Sequence, residues 1–269
     1  MESDSIRLGI IGGGVMSEAI LSRLLATEVM TADTVLVSEP QVARRNFWQQ
    51  QYQVNVTSDN QTAASASEIL LLAIKPQVLD IAIADIVPNP KNTLISILAG
   101  VPLSKLEMAF PQQSVIRVMP NTPATVGAGM TAIASGKNVT PEQTQQAIKI
   151  FKAIGEVVEV PESSMDAVTG LSGSGPAFVA MTIEALADGG VASGLPRAIA
   201  MKLAIQTVLG TAKLLQESQM HPAELKDRVT SPGGTTIAGV AELESVGFRS
   251  ALIEAVKVAT ERSQELGES

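Results

Sequence analysis

The 269-residue chain has no cysteine, a single histidine and only seven aromatic side chains: one Trp, one Tyr and five Phe. Without thiols there can be no disulfide framework, thiolate metal site, iron–sulfur cluster or cysteine nucleophile. A solitary His221 leaves no His-rich site either, so no metal is expected. Positive charge is scarce as well. Nineteen Lys and Arg against 27 Asp and Glu give −8 at pH 7, a balance that argues against a nucleic-acid surface. Uninterrupted apolar runs are short, and the longest, such as 69–74, stop at a charge or a proline well before the roughly 18–20 residues of a membrane span. The opening Met1-Glu2-Ser3-Asp4-Ser5 lacks a basic leader pattern. These absences point to a cytoplasmic protein that acts on a small molecule, with neither nucleic acid nor membrane as partner.

What is present is 45% apolar side chains, and a length that predicts roughly two domains at about 150 residues each. The first 160 residues alternate short β-branched or aliphatic runs with amphipathic stretches, the rhythm of βαβ units. Strands are predicted over 6–12, 34–38, 54–57, 69–74, 93–98, 115–118, 130–134 and 156–160. Helices are predicted over 15–25, 42–51, 62–67, 77–87, 103–109 and 141–151, the last with Thr140 as N-cap before Pro141. Beyond Pro161 the texture turns Ala-, Leu- and Met-rich, with helices predicted over 176–191, 196–216, 222–229, 235–246 and 249–265. The expected fold class is α/β: a Rossmann-like parallel-sheet domain over 1–161, followed by an all-α domain over 162–269. Segment 198–209 is apolar nearly all round, interrupted mainly by Lys202 and Gln206, and a helix of that kind calls for cover from a second subunit.

One motif carries specific chemistry in the first half. The predicted first strand runs into Gly12-Gly13-Gly14-Val15-Met16-Ser17, a G-x-G-x-x-G/A pattern with Ser in the third place, and then into a helix. Gly12 would make the tight turn, Gly14 would let a pyrophosphate approach the backbone, and the helix N-terminus would supply amide donors. The second strand ends at Ser38-Glu39, where an adenosine ribose would lie. Glu39 suits a free 2′-hydroxyl and NADH, whereas Ser38, Arg44 and Arg45 suit a 2′-phosphate and NADPH. The two arginines read equally well as a solvated helix face. Segments 73–76, 99–102 and 117–123 follow later strands at the carboxyl edge, where open α/β sheets bind ligands, though each alone reads as an ordinary turn.

In the second half, Thr169-Gly170-Leu171-Ser172-Gly173-Ser174-Gly175 opens the first long helix and would let it start close against another element or a cofactor ring. Ser231-Pro232-Gly233-Gly234-Thr235-Thr236 places two glycines and several hydroxyls before a helix, a suitable carboxylate cradle. His221-Pro222 sits at a helix start and reads as structural.

With these residues in hand, the chain resembles the pyrroline-5-carboxylate reductase family from end to end. The resemblance is carried by the glycine turn of 12–19, Ala73-Ile74-Lys75-Pro76, Met119-Pro120-Asn121-Thr122-Pro123, segment 170–177 and, most specifically, Ser231-Pro232-Gly233-Gly234-Thr235-Thr236-Ile237. It implies reduction of the cyclic imine L-1-pyrroline-5-carboxylate to L-proline with NADPH, or with NADH. It also implies a homodimer formed through the helical domain, within a ring of dimers. Carried over position by position, Gly12, Gly14, Val15 and Met16 would hold the pyrophosphate and Asn60 the adenosine side, joined by Ser38, Glu39 and Arg44 at the ribose. Ala73, Lys75, Pro76 and Ala99 would take the nicotinamide half. Glu162 would lie near the substrate pocket; Ser231, Gly233, Gly234 and Thr235 would cradle the substrate carboxylate, with the catalytic Thr236 hydroxyl on the ring nitrogen. Two positions depart from the family pattern: Ser17 at the third fingerprint position, and Glu39 where NADP-preferring relatives often place Ser, Asn or Arg.

The imine chemistry fits the composition. A ketone reductase needs a positioned general acid, whereas a cyclic imine can bind already protonated and accept hydride directly, so a nearly His-free chain suffices. A β-hydroxyacid dehydrogenase would want a Lys soon after the glycine-rich opening of the long helix, and 172–188 contains none. A non-catalytic NAD(P)-binding sensor is the remaining alternative, and it would not need a complete carboxylate cradle.

Overall fold

The computed structural model describes residues 6–268. Eight strands form one sheet: β1 (Leu8–Ile11), β2 (Val35–Ser38), β3 (Asn55–Thr57), β4 (Ile69–Leu72), β5 (Thr93–Ser96), β6 (Ser114–Met119), β7 (Gly129–Ser135) and β8 (Gly155–Glu159), in the order β3-β2-β1-β4-β5-β6-β7-β8. The first six run parallel. The sheet is the expected Rossmann-like, predominantly parallel one, with one reversal at its far edge, where β7 lies antiparallel to β6, Ile116 facing Ser135 and Met119 facing Ala132, while β8 is parallel to β7. The reason is connection length. Segment 120–128 holds only a 3₁₀ turn, Thr122–Val126, and a parallel return needs a crossover of a dozen or more residues.

Strands β1, β2, β4 and β5 are buried along their whole length because both faces are covered. Leu8, Ile10, Val35, Val37, Ile69 and Leu71 point to one face, packed under α1 (Val15–Ala26), α2 (Val42–Tyr52) and α6 (Pro141–Lys152). Ile11, Leu70, Leu72 and Leu94 point to the other, under α3 (Asn60–Ala66), α4 (Leu79–Ile83), α5 (Leu103–Ala109) and α7 (Met165–Val168). Helix α6 starts with the expected cap, extended to a capping box: Thr140 Oγ1 accepts from Gln143 N, and Gln143 Oε1 accepts from Thr140 N. The helix expected over 77–87 shrinks to a 3₁₀ turn, Pro76–Val78, and the short α4. Its β-branched residues Ile81, Ile83, Ile86 and Val87 before Pro88 are weak helix formers. Helical structure also begins earlier than expected, at α7, and continues as a π-helical stretch over Thr169–Gly173, where Thr169 Oγ1 and Ser172 Oγ donate to the carbonyls of Met165 and Val168.

The remaining helices are α8 (Gly175–Ala192), α9 (Arg197–Ser218), α10 (Pro222–Arg228), α11 (Thr235–Ser245) and α12 (Phe248–Glu268). By packing, the chain divides into two compact units, one running through Ser174 and including the segment from Val258, the other spanning Gly175–Lys257. The second unit is held by a seam of small residues, Ala187, Ala200 and Ala204, all buried, with Ile183, Val191 and Met201 packed beside them. Most of the other apolar side chains of α8 and α9 are exposed in the single chain, Met181, Leu186, Leu203 and Leu209 among them. Although no uninterrupted apolar run reaches membrane-spanning length, α9 as a whole is long and apolar enough to cross a membrane, with a mean hydropathy of 1.4 over its most apolar window.

The seam has no room to spare, since a Cβ at Gly190 would stand 3.1 Å from that of Ala200. Ala200→Leu should destabilise the second unit by about 1–3 kcal/mol by overpacking, visible as an earlier urea midpoint; an unchanged midpoint would show that the seam is loose.

Candidate active site

The carboxyl ends of β1, β2 and β4 surround a cavity of about 500 Å³ at the point where strand order reverses, the general location of ligands in open α/β sheets. Gly12, Gly14, Ser38, Glu39, Asn60 and Ala73 all line it, as does Lys75. The turn is built on Gly12, whose φ of +99° only glycine adopts freely, and whose added Cβ would meet Ala73 O at 2.6 Å. At Gly14 a Cβ would meet nothing within 4 Å, so this stretch of backbone faces open space. Gly14 is also the N-cap of α1, with no side chain capping it, so the first-turn amides of Val15 and Met16 remain as donors. Open backbone, free amides and the helix dipole together fit a pyrophosphate. Ser17 explains its departure from the usual small apolar residue: it is fully buried, and its hydroxyl donates back to Gly12 O at 2.5 Å, bracing the turn.

The ribose-end residues are arranged differently from what their types alone suggest. Ser38 Oγ donates to Asn60 Oδ1 (2.7 Å), and Asn60 Nδ2 to Ala82 O (2.8 Å). Glu39 is buried and accepts Gly13 N on Oε2 (2.9 Å) and Gln41 N on Oε1 (3.0 Å). Arg44 donates Nε and Nη2 to Gly13 O (2.9 and 2.7 Å) and Nη2 also to Glu18 Oε2 (3.0 Å); Arg45 Nη1 bonds the carbonyls of Glu39 and Pro40. Both arginines are thus committed to the protein's own backbone. Trp48 Nε1 donates to the same Gly13 O (3.3 Å), and Tyr52 donates to Glu18 Oε1 (3.1 Å). Burial, then that bond and the charge of Glu18, hold the Tyr52 phenol above its ordinary 10.0, with Arg44 pulling the other way. Glu18, Trp48 and Tyr52 were not singled out from the sequence, although the spacing of 44, 48 and 52 on one helix face was the available signal.

The residues expected to flank the nicotinamide half divide between two cavities. Ala73 and Lys75 face the first, whereas Pro76 and Ala99 line a second of about 470 Å³ with Gly100 and Lys105. Glu162 lines neither. Its carboxylate accepts Leu103 N and pairs at 3.4 Å with Arg117, a buried arginine within β6 that also meets Asp166 at 3.5 Å. Asp166 in turn accepts from Ser263 Oγ of α12 (2.7 Å). Sequence reasoning missed this chain, because its members lie far apart in sequence. Asn121 pins the neighbouring turn, accepting Met130 N on Oδ1 (2.8 Å) and donating to Ser172 O (3.0 Å).

In the second unit, Ser231, Gly233 and Gly234 form a tight turn that leads into Thr235 and Thr236, the first residues of α11. Gly233 sits at φ +67°, Gly234 N donates to Ser231 O (3.1 Å), and Gly234 is an N-cap without side-chain capping. The start of α11 is therefore a set of amides flanked by the hydroxyls of Ser231, Thr235 and Thr236, able to hold a carboxylate. His221 is the N-cap of α10, its Nδ1 accepting from Ala223 N at 3.2 Å, the structural part read from its position.

Gly12→Ala should cost about 1–3 kcal/mol of backbone strain and crowd Ala73, lowering nucleotide affinity by more than about tenfold in a fluorescence titration. Wild-type affinity would show the turn to be unimportant for binding.

Two family models match successive parts of the chain. Residues 162–266 match the family model described as Pyrroline-5-carboxylate reductase dimerisation, and residues 7–100 match that described as NADP oxidoreductase coenzyme F420-dependent. The pyrroline-5-carboxylate reductase of Synechocystis sp. is 64% identical over 264 residues, 98% of this chain and 99% of that protein. That of Methanosarcina acetivorans is 47% identical over 97% of this chain and 98% of its own. The crystal structure of Plasmodium falciparum pyrroline carboxylate reductase with NADP bound superposes with a TM-score of 0.88 at 32% identity, covering 97% of this chain and 98% of that one. With identity of this order sustained over almost the whole length, the chain belongs to the pyrroline-5-carboxylate reductase family.

Proposed function

We propose that the chain reduces L-1-pyrroline-5-carboxylate to L-proline, the last step of proline biosynthesis, with NADPH as the main coenzyme and NADH as a usable one. The observation that carries this is the pairing, in one chain of this family, of an open glycine turn at the strand-reversal point with a hydroxyl-flanked, uncapped helix start at 231–236. The functional division is proposed between 161 and 162, with the coenzyme held before it, and dimerisation and substrate binding after it.

In this reading Gly12, Gly14, Val15 and Met16 hold the pyrophosphate, Ser38, Glu39, Arg44 and Asn60 build the adenosine end, and Ala73, Lys75, Pro76 and Ala99 flank the nicotinamide half. When bound, the reduced nicotinamide supplies the hydride that the imine carbon accepts. The chain's own work is placement. Ser231 and the amides at Gly233, Gly234 and Thr235 fix the substrate carboxylate, while the Thr236 hydroxyl orients the ring nitrogen, which enters protonated and leaves as the amine. No strong acid is required, in keeping with a lone histidine spent on a helix cap. Glu162 acts near the pocket by holding Leu103 N and Arg117, and so the loop that follows Ala99.

The helical unit is proposed to form a homodimer, and the dimers a ring, in the cytoplasm. Support comes from the apolar faces of α8 and α9 and from a groove of about 480 Å³ lined by Phe178, Met181, Leu186, Leu243, Phe248 and Leu252. Burying such a surface would account for the membrane-like hydropathy of α9 without a membrane.

Coenzyme oxidation on addition of pyrroline-5-carboxylate, with proline as product, tests the assignment; nucleotide binding without turnover would favour the sensor. Thr236→Val should lower kcat/KM by about tenfold through the lost hydrogen bond and leave nucleotide affinity unchanged. Equal kinetics would remove Thr236 from the mechanism. Met181→Glu, placing a charge on the apolar groove, should sediment as a monomer; an unchanged oligomer would put the interface elsewhere.

A further inference from the structure

Both backbone polar groups of Gly13, the middle residue of the glycine turn, are held by side chains. Its N–H is taken by Glu39 Oε2 at 2.9 Å, and its carbonyl by Arg44 Nε and Nη2 at 2.9 and 2.7 Å and by Trp48 Nε1 at 3.3 Å. A Cβ at this position would collide with Trp48 Nε1, so only glycine lets these side chains close on the backbone. Glu39 has no oxygen without an amide, because Oε1 accepts Gln41 N at 3.0 Å, and its exposure is 8%. Arg44 has the edge bearing Nε and Nη2 on a single carbonyl, Glu18 Oε2 fixes Nη2 a second time, and its guanidinium lies 4.5 Å over the Phe47 ring.

An acidic residue at the end of the second strand ordinarily reads the ribose hydroxyl, and an arginine nearby reads a 2′-phosphate. Here both side chains are spent on the same glycine, Glu39 on the peptide that precedes Gly13 and Arg44 on the peptide that follows it. We propose that Glu39 and Arg44 are positioning residues that preorganise the pyrophosphate turn through Gly13, so that they set the affinity for NADPH and NADH alike and do not choose between them. The inference rests on the nucleotide-binding reading given above. Choice between the coenzymes then falls to Ser38 and the 40–41 turn, which line the same cavity.

The test is to measure the dissociation constants of NADPH and NADH, by calorimetry on the full-length protein, for the wild type, Glu39→Gln and Arg44→Lys. Gln keeps an acceptor but loses the charge, and Lys keeps the charge but not the two-pronged donor edge. Each variant should weaken both nucleotides by about fivefold, the net scale of one ordinary hydrogen bond, with their ratio held within about threefold. Trp48 is the chain's sole tryptophan and shares the Gly13 carbonyl with Arg44, so the emission of nucleotide-free Arg44→Lys should also change. If Glu39→Gln does not fold, Arg44→Lys carries the test alone. A ratio moved by more than about threefold, or affinities unchanged for both nucleotides, would overturn the inference. Failure of the wild type to bind either nucleotide would instead overturn the coenzyme reading, and this inference with it.

Discussion

In the proposed function, the negative charge of a coenzyme is met in this chain of net charge −8 by oriented backbone groups at the Gly12–Gly13–Gly14 turn. The requirement is demanding. The peptide groups must face open space, yet a flexible glycine loop would lose entropy each time it closed on an anion. The structure answers with side chains brought in from α2 and the end of β2, which grip Gly13 from behind and leave Gly14 bare. Ser17, bonded to Gly12 O, braces the same turn from inside α1.

A second polar network serves the opposite side of the sheet. Arg117 is nearly inaccessible, and a buried guanidinium without partners would be costly. Its two carboxylates, Glu162 and Asp166, keep partial contact with water and pass the connection on, one to the backbone of Leu103, the other to Ser263 near the chain's end. One buried cation thereby ties the loop after β5, the first helical turns beyond the sheet and the last turns of α12 to a single point. This explains why the packing boundary falls at Ser174 and Val258 while the change of texture in the sequence falls near 161.

The helical unit obeys a different rule. Its internal seam is made of alanines, which allow close helix approach but bury little apolar area, and its large side chains point outward. Such a unit leaves apolar faces to be covered, consistent with homo-oligomer formation and with the match of 162–266 to a dimerisation family.

All eight strands, the major helices and the turn at Gly12 were legible in the sequence, because hydrophobic period, proline placement and turn chemistry act within a few residues. So was the turn into a helix at 231–236, whose glycines and hydroxyls are contiguous. The reversed direction of β7 was not, since it follows from a connection too short for a crossover. Nor was the π-helical stretch of 169–173, which glycine and serine disguise as a loop. Residue type by itself also left the roles of Glu39, Arg44 and Arg45 open between ribose reader, phosphate ligand and solvated face. Only the tertiary structure decided that Glu39 and Arg44 close on a glycine 26 and 31 positions away, and that Arg117 meets Glu162 45 positions on. Local patterns determine which elements form, whereas the partner of a charged side chain is set by the order in which strands assemble side by side, and no short window of sequence contains that order.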